Sequence, residues 1–255
     1  MKKILITNDD GYESAGLLAL IDALSGLGHI TVVAPATEKS ACGHSLTLTR
    51  PLTFVSVGDD FYKLDDGTPS DCIYLALNSL FEFQKPDLVI SGINKGSNMG
   101  EDITYSGTCA GAMEAVLHDV PAIAISQVMD FTQPMGDFTL AKKAIRALVE
   151  KIFADEFPLK EREFLNVNIP YQAHELAFEV TYAGYRFYAN DAHVHRNPRG
   201  TEYYWLGLHP LEYKARPNRG GLSDFEAIEA GKVSLTPIKL DMSAYKSMTR
   251  LQAWL

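Results

Sequence analysis

The first fourteen residues, MKKILITNDDGYES, constrain this chain more than any other stretch. Ile4, Leu5 and Ile6 form an apolar run that stops at Thr7, Asn8, Asp9, Asp10 and Gly11. A short apolar run closed by turn residues predicts a buried strand, here one that delivers two adjacent carboxylates to its carboxyl end. Two Asp side chains placed side by side repel each other, so unless they are solvated one takes up a proton or a cation sits between them. A divalent metal is the simplest such cation. Asp-Asp-Gly is equally ordinary turn chemistry, because Asp tolerates the left-handed region and Gly supplies positive φ without steric cost. The choice between site and turn rests on what the rest of the chain brings to the same place.

Leu17, Leu18, Leu20, Ile21, Leu24 and Leu27 recur at helical spacing, with Gly28 as the expected C-terminal cap, and Ile30 to Ala34 is β-branched and apolar up to Pro35. Strand, helix, strand in so short a span is a βαβ unit, which implies a parallel sheet and a right-handed crossover. In open parallel sheets ligands bind beyond the carboxyl ends of the strands. The polar loop from Ala36 to Arg50, ATEKSACGHSLTLTR, leaves the second strand at that edge and brings Ser40, His44 and Ser45 with it.

Ser45–Thr49 and Thr53–Val57 alternate in the manner of strands around Pro51, with a turn over Gly58–Asp60. Thr68-Pro69-Ser70-Asp71 predicts a helix start, with Thr68 as N-cap and Pro69 at the first helical position; its inward positions are Ile73, Leu75, Leu77, Leu80 and Phe81. Leu88–Ser91 predicts another buried strand, leading into a Gly- and Asn-rich loop from Gly92 to Gly100 that carries Asn94 and Asn98. Such loops are uncommon unless they bind something. Ser106-Gly107-Thr108-Cys109-Ala110-Gly111-Ala112 then opens a helix. Small residues there leave backbone N–H groups free for an anion, and serve tight helix packing equally well.

Val120–Ser126 and Phe164–Ile169 predict further strands, with an amphipathic helix at Leu140–Phe153, and the last of these strands is expected to close the main layer. From about Leu176 aromatic residues dominate. Strands are expected at Phe178–Tyr188, Thr201–Leu208 and Val233–Ile238, with a short helix at Ser243–Leu255. The whole, residues 1–255, reads as one α/β domain with a core over 1–175 and a β-rich extension over 176–255. Tyr and Trp are enriched at interfaces, so the extension fits a subunit contact; a β appendage packed on its own core is the duller possibility.

A net charge of −9 argues against coating nucleic acid, which needs clustered Lys and Arg, but leaves room for a small phosphorylated substrate beside a metal. Cys42, Cys72 and Cys109 are odd in number and in no metal-ligand pattern, which fits a reducing cytoplasm. No secretory leader or membrane span is expected. The turn of Asp9 and Asp10, the loop with Ser40 and the loop with Asn94 and Asn98 offer hard carboxylate, hydroxyl and amide oxygens with no His or Cys cluster, so the ion they suit is Mg2+ or Mn2+ rather than zinc. An ion beside a helix N-terminus is an arrangement fit for a phosphate.

TNDDGYESAG, KSACGHSLTLTRPL, GTPSDC and above all SGINKGSNMGEDITYSGTCAGAMEA resemble the SurE family of nucleotidases, also called survival protein E. RGTEYYWLG, SDFEAIEAG and VSLTPI are similar to its C-terminal half. The resemblance implies a Rossmann-like, mostly parallel sheet flanked by helices. It implies a phosphomonoesterase that hydrolyses nucleoside 5′-monophosphates, and also 3′-monophosphates or short polyphosphate, by attack of a metal-activated water. One Mn2+ or Mg2+ per subunit would be held by Asp9, Asp10, Ser40 and Asn94, with Asp9 and Asp10 catalytic and the phosphate on Asn98, Ser106, Gly107 and Thr108. It also implies homodimers or homotetramers built through the C-terminal β extension.

Other readings fail on particular residues. An aspartyl-phosphate phosphatase needs DxD where this chain has Asn8-Asp9-Asp10, and a zinc deacetylase needs His-Pro where it has Thr7-Asn8. A dinucleotide fold needs G-x-G-x-x-G at the first turn. A non-catalytic, metal-dependent mononucleotide-binding module stays open as the alternative. His44 is a candidate acid for the leaving alcohol or a structural residue, His193 and His195 suit a surface role, and Arg186, Arg196 and Arg199 are either ordinary solvated arginines or reach a nucleotide from a neighbouring subunit.

Overall fold

The computed structural model describes residues 1–129, 137–155, 157–171, 173, 175–188, 191–207, 210–214, 216 and 220–255. The apolar start of the chain is β1 (Lys3–Thr7), followed by α1 (Ala15–Leu24) and β2 (His29–Pro35), the expected βαβ unit. Next come β3 (Phe54–Gly58), β4 (Phe61–Leu64), α2 (Pro69–Leu75), β5 (Leu88–Lys95), α3 (Gly107–Leu117) and β6 (Ala122–Gln127). They lead to α4 (Thr139–Ala154), β7 (Glu163–Ile169), β8 (Phe178–Tyr182), β9 (Tyr185–Tyr188), β10 (Asp191–Arg196) and β11 (Glu202–Gly207). The chain ends through β12 (Pro210–Lys214), β13 (Leu222–Ser223), α5 (Asp224–Glu229), β14 (Val233–Lys239) and α6 (Tyr245–Trp254).

A ten-stranded sheet runs β13-β8-β14-β7-β6-β5-β1-β2-β4-β3. Its strands pair in parallel except β14 against β7 and β3 against β4. β1 sits between β2 and β5, so the chain leaves it first to one side and later to the other. The carboxyl end of β1 is therefore the point where the winding reverses, and there a crevice opens. Side chains alternate across the sheet: Ile4 and Ile6 face α1 and α4, while Leu5 faces α2 and α3. All three are fully buried, each worth about 1.5–3 kcal/mol of transfer free energy.

Several expectations are corrected. The sheet does not close at β7, because β14 pairs with it and carries β8 and β13 beyond. Ser45–Thr49 is no strand: Thr47 donates its N–H and hydroxyl to the Asp71 carboxylate, and Ser45 O accepts from Thr68 Oγ1, so side chains tie this stretch to the start of α2. α1 ends at Leu24 rather than at Gly28, since Gly26 takes a φ of +82°. β5 runs on through Asn94 and Lys95 by a register shift against β6, so half of the expected loop is strand. Leu80 is exposed because a π-helical turn (Ala76–Leu80) rotates it outward. Phe178–Tyr188 is two strands broken at Ala183 and Gly184, and His193 and His195 lie on β10, a strand the sequence reading did not include. α5, β4 and β12 were not expected.

The start of α2 is as expected. Thr68 accepts from Asp71 N while Asp71 accepts from Thr68 N, a reciprocal capping box. Thr68→Ala removes that acceptor and is expected to cost about 1 kcal/mol, seen as a melting temperature lower by roughly 2–4 °C. An unchanged melting temperature would show that the box is dispensable.

Candidate active site

The period of two that buries Ile4, Leu5 and Ile6 continues past the end of β1. Thr7 lies against α3, its Cγ2 2.8 Å from where a Cβ on Gly111 would stand. Asp9 follows Thr7 toward α3, and Asp10 accepts from Lys95 N at 3.1 Å. Asn8 between them is fully buried and donates to Gly11 O at 2.9 Å and Ser14 Oγ at 2.8 Å, which shapes the turn and fixes the N-cap of α1.

Asp9 is 3% exposed and meets the N-terminus of α3 directly. Thr108 Oγ1 donates to Asp9 Oδ1 at 2.5 Å. A Cβ on Gly107 would lie 2.8 Å from Asp9 Cβ, 2.9 Å from its Oδ2 and 3.0 Å from Cys42 Sγ, so only glycine lets the helix end come this close. Burial pushes the Asp9 carboxyl up to about 6, partly offset by the hydrogen bond from Thr108, with the charge of Asp10 adding to the rise. Asp10 is also raised by burial, against the pull of Lys95. Two carboxylates thus share one strand end at a cost that positive charge would relieve.

The other expected residues lie around them. Ser40 is exposed and donates to Glu38 Oε1 at 2.8 Å. Asn94 donates through Nδ2 to Gly96 O at 3.0 Å, and its Oδ1 accepts from no group among the described residues. A cleft of about 500 Å3 is lined by Asp10, Tyr12, Glu38, Ser40 and Lys95 among others. Asn98 is buried and gives its Nδ2 to Ser126 Oγ at 2.7 Å. Ser106 caps α3, accepting from Cys109 N at 3.0 Å. Thr108 is fully buried and gives its hydroxyl to Asp9.

His44 lies 2.6 Å from Glu114 Oε2, and His118 lies 3.1 Å from Oε1 of the same buried carboxylate. Glu114 is two turns, about 10 Å, along α3 from Gly107, so His44 pins its loop to the helix away from the acidic turn. Burial raises the Cys42 thiol to about 11 and the Cys109 thiol to about 12, which keeps both protonated. Arg186 pairs with Asp102 and Arg196 with Glu202. Two residues absent from the expectations also hold the site: Asn168 accepts from Asn98 N at 2.9 Å, and Asn166 donates to Asn98 O at 2.8 Å. Their signal was in the sequence, as polar residues at alternate positions of the apolar run FLNVNI.

Among the described residues no group of three or more His, Cys, Asp or Glu is placed to hold an ion. Asp9, Asp10, Ser40 and Asn94 offer carboxylate, hydroxyl and amide oxygens instead, a hard set that fits Mg2+ or Mn2+.

The family model described as Survival protein SurE matches residues 4–190. The chain belongs to the SurE family. It is 67% identical over 260 residues to a protein of Sulfurimonas denitrificans named 5′-nucleotidase SurE, covering 99% of this chain and 98% of that one. A Helicobacter hepaticus protein of the same name is 60% identical, covering 100% and 99%. The crystal structure of the SurE protein from Aquifex aeolicus superposes with a TM-score of 0.82 at 39% identity, over 99% of each chain. This SurE chain therefore shares its mostly parallel sheet and additional C-terminal strands with a solved member.

Proposed function

We propose that this SurE chain is a 5′-nucleotidase, a metal-dependent phosphomonoesterase that converts nucleoside monophosphates to nucleoside and phosphate. The observation that carries the reading is the seat of Asp9 against Gly107 and Thr108. It joins an acidic turn to the positive end of a helix, where a phosphoryl group can meet both. Relatives at 60–67% identity bear the nucleotidase name.

Asp9, Asp10, Ser40 and Asn94 would hold one Mn2+ or Mg2+ per subunit. When bound, the ion supplies positive charge that polarises a phosphoryl oxygen and makes water nucleophilic near neutral pH. The chain's own residues do the rest. Backbone N–H groups at the start of α3 and the Ser106 hydroxyl donate to the phosphoryl oxygens, with Asn98 beside them. Thr108 acts through Asp9, fixing the carboxylate that orients or deprotonates the attacking water. The cleft beside Asp10, with Tyr12 in its wall, has room for the nucleoside.

The β extension supports assembly into dimers or tetramers, since Tyr203, Tyr204, Trp205 and Leu206 on β11 and Tyr245, Met248, Leu251 and Trp254 on α6 are exposed. Three free cysteines suit a reducing cytoplasm. No helix among the described residues is long and apolar enough to cross a membrane.

The test is phosphate release from nucleoside 5′- and 3′-monophosphates by metal-stripped protein given Mn2+, Mg2+, Zn2+ or none. Release should vanish on stripping and return with Mn2+ or Mg2+. Full activity in excess chelator would overturn the metal assignment, and nucleotide binding without release would leave a binding module.

A further inference from the structure

Asp224 is fully buried at the start of α5, and its carboxylate closes on three backbone N–H groups. Gly100 N donates to Oδ2 at 2.8 Å, Gly184 N to Oδ1 at 2.9 Å, and Phe225 N to Oδ1 at 3.0 Å. Gly100 is not an arbitrary partner. It opens the 3-10 turn Gly100–Thr104, whose Asp102 O accepts from Tyr105 N and Ser106 N, and Ser106 caps α3. The turn therefore runs without slack from Asp224 to the end of the helix where Asp9 is seated.

The same segment is gripped on either side of Gly100. Upstream, Asn168 and Asn166 hold the N–H and carbonyl of Asn98. Downstream, Arg186 on β9 donates its N–H to Glu101 Oε2 at 2.6 Å and pairs with Asp102 Oδ2 at 2.8 Å. Gly100 sits at φ +56°, and a Cβ there would lie 3.0 Å from Gly184 O and 3.0 Å from the Phe225 ring. Three consecutive residues before the phosphate-facing helix end are thus fixed by the C-terminal part of the chain.

We propose that Asp224 is a positioning residue for phosphate binding: by fixing Gly100 it sets the place from which Ser106 and the Gly107 N–H meet the phosphoryl group. This rests on the nucleotidase reading and adds to it, because it makes the C-terminal strands part of the scaffold of the site. A carboxylate buried with three N–H donors is costly to replace, and a shift of about 1 Å in a binding element can cost a hundredfold in rate.

The experiment compares inhibition by inorganic phosphate in Mn2+-loaded wild type, Asp224→Asn, Gly100→Ala and Glu226→Gln, together with kcat, KM and Mn2+ affinity. Glu226 is the control: it completes the capping box of the same helix with Ser223. Asp224→Asn and Gly100→Ala should bind phosphate at least tenfold more weakly, at a Mn2+ affinity within twofold of wild type. Glu226→Gln should lower the melting temperature and leave phosphate affinity alone. If Asp224→Asn does not fold, Gly100→Ala decides by itself. Wild-type phosphate affinity in the folded variants, or an equal loss in Glu226→Gln, overturns the assignment of Asp224 alone. A wild-type chain that neither binds phosphate nor releases it from nucleotides overturns the nucleotidase reading and this inference with it.

Discussion

In Asp9→Asn, phosphate release falls by about a thousandfold or more while the metal-free protein becomes more stable at neutral pH. The loss follows from removing one of two carboxylates at the proposed ion site and the one that faces the helix end. The gain follows from linkage. Burial raises the Asp9 carboxyl from 3.8 to about 6, so the folded state binds its proton more tightly than the unfolded state. A raised carboxyl contributes stability that is fully present below about pH 4 and is lost as pH rises through about 6. At pH 7.5 the metal-free wild type therefore carries a strain on the order of 2–3 kcal/mol that Asn lacks. Asn keeps the oxygen that accepts from Thr108, so the turn has no reason to move. Melting temperatures of both proteins in chelator, at pH 5 and pH 7.5, check this. Wild type should be the less stable only at the higher pH, and equal stabilities there, or near-normal turnover of the metal-replete variant, would remove Asp9 from its place at the centre of the site.

Gly107→Ala is expected to lower kcat/KM by roughly tenfold to a hundredfold, beside a loss of stability of up to about 2 kcal/mol. The added methyl meets Asp9 Cβ, Asp9 Oδ2 and Cys42 Sγ at 2.8–3.0 Å, and Asp9 is held on the other side by its own strand. The helix end must retreat by a few tenths of an ångström or more, which takes the Gly107 N–H and the Thr108 hydroxyl away from the acidic turn. Overpacking of this kind costs about 1–3 kcal/mol, against which Ala in a helix returns up to about 1 kcal/mol. Steady-state kinetics beside a melting curve separate the two effects. A fully active Gly107→Ala enzyme would mean that the helix end and the acidic turn do not work as one site.

The acidic turn was legible because its parts are neighbours: an apolar run that must be buried, then Asp9-Asp10-Gly11, where the strand must stop. The same holds for Thr68, whose cap is a hydrogen bond to a residue three positions on. Ser45–Thr49 misled because alternation is also what a loop shows when Thr47 is held by a carboxylate on another element. The aromatic strands were located but their pairing was not. Nothing in VSLTPI says that β14 lies antiparallel to β7 and carries the sheet past the expected edge.

The role of Thr108 could not be read either. In GTCAG its hydroxyl is equally able to face a phosphate or a carboxylate, and the packing of α3 on β1 chose the carboxylate. Asp224 stands 124 positions from the Gly100 N–H it accepts, and in SDFEAIEAG it reads as one acidic residue among three.

The sequence by itself determined the first βαβ unit, the capped start of α2 and that two carboxylates must leave β1 together, since each of these depends on side-chain spacing and hydrogen bonds within a few residues. Only the tertiary structure decided that Lys95 N meets Asp10, that α3 seats its end on Asp9, and that Asp224 and Asn168 hold the segment between. Those contacts depend on the distance between surfaces brought together by burial of the core, and local patterning does not encode that distance.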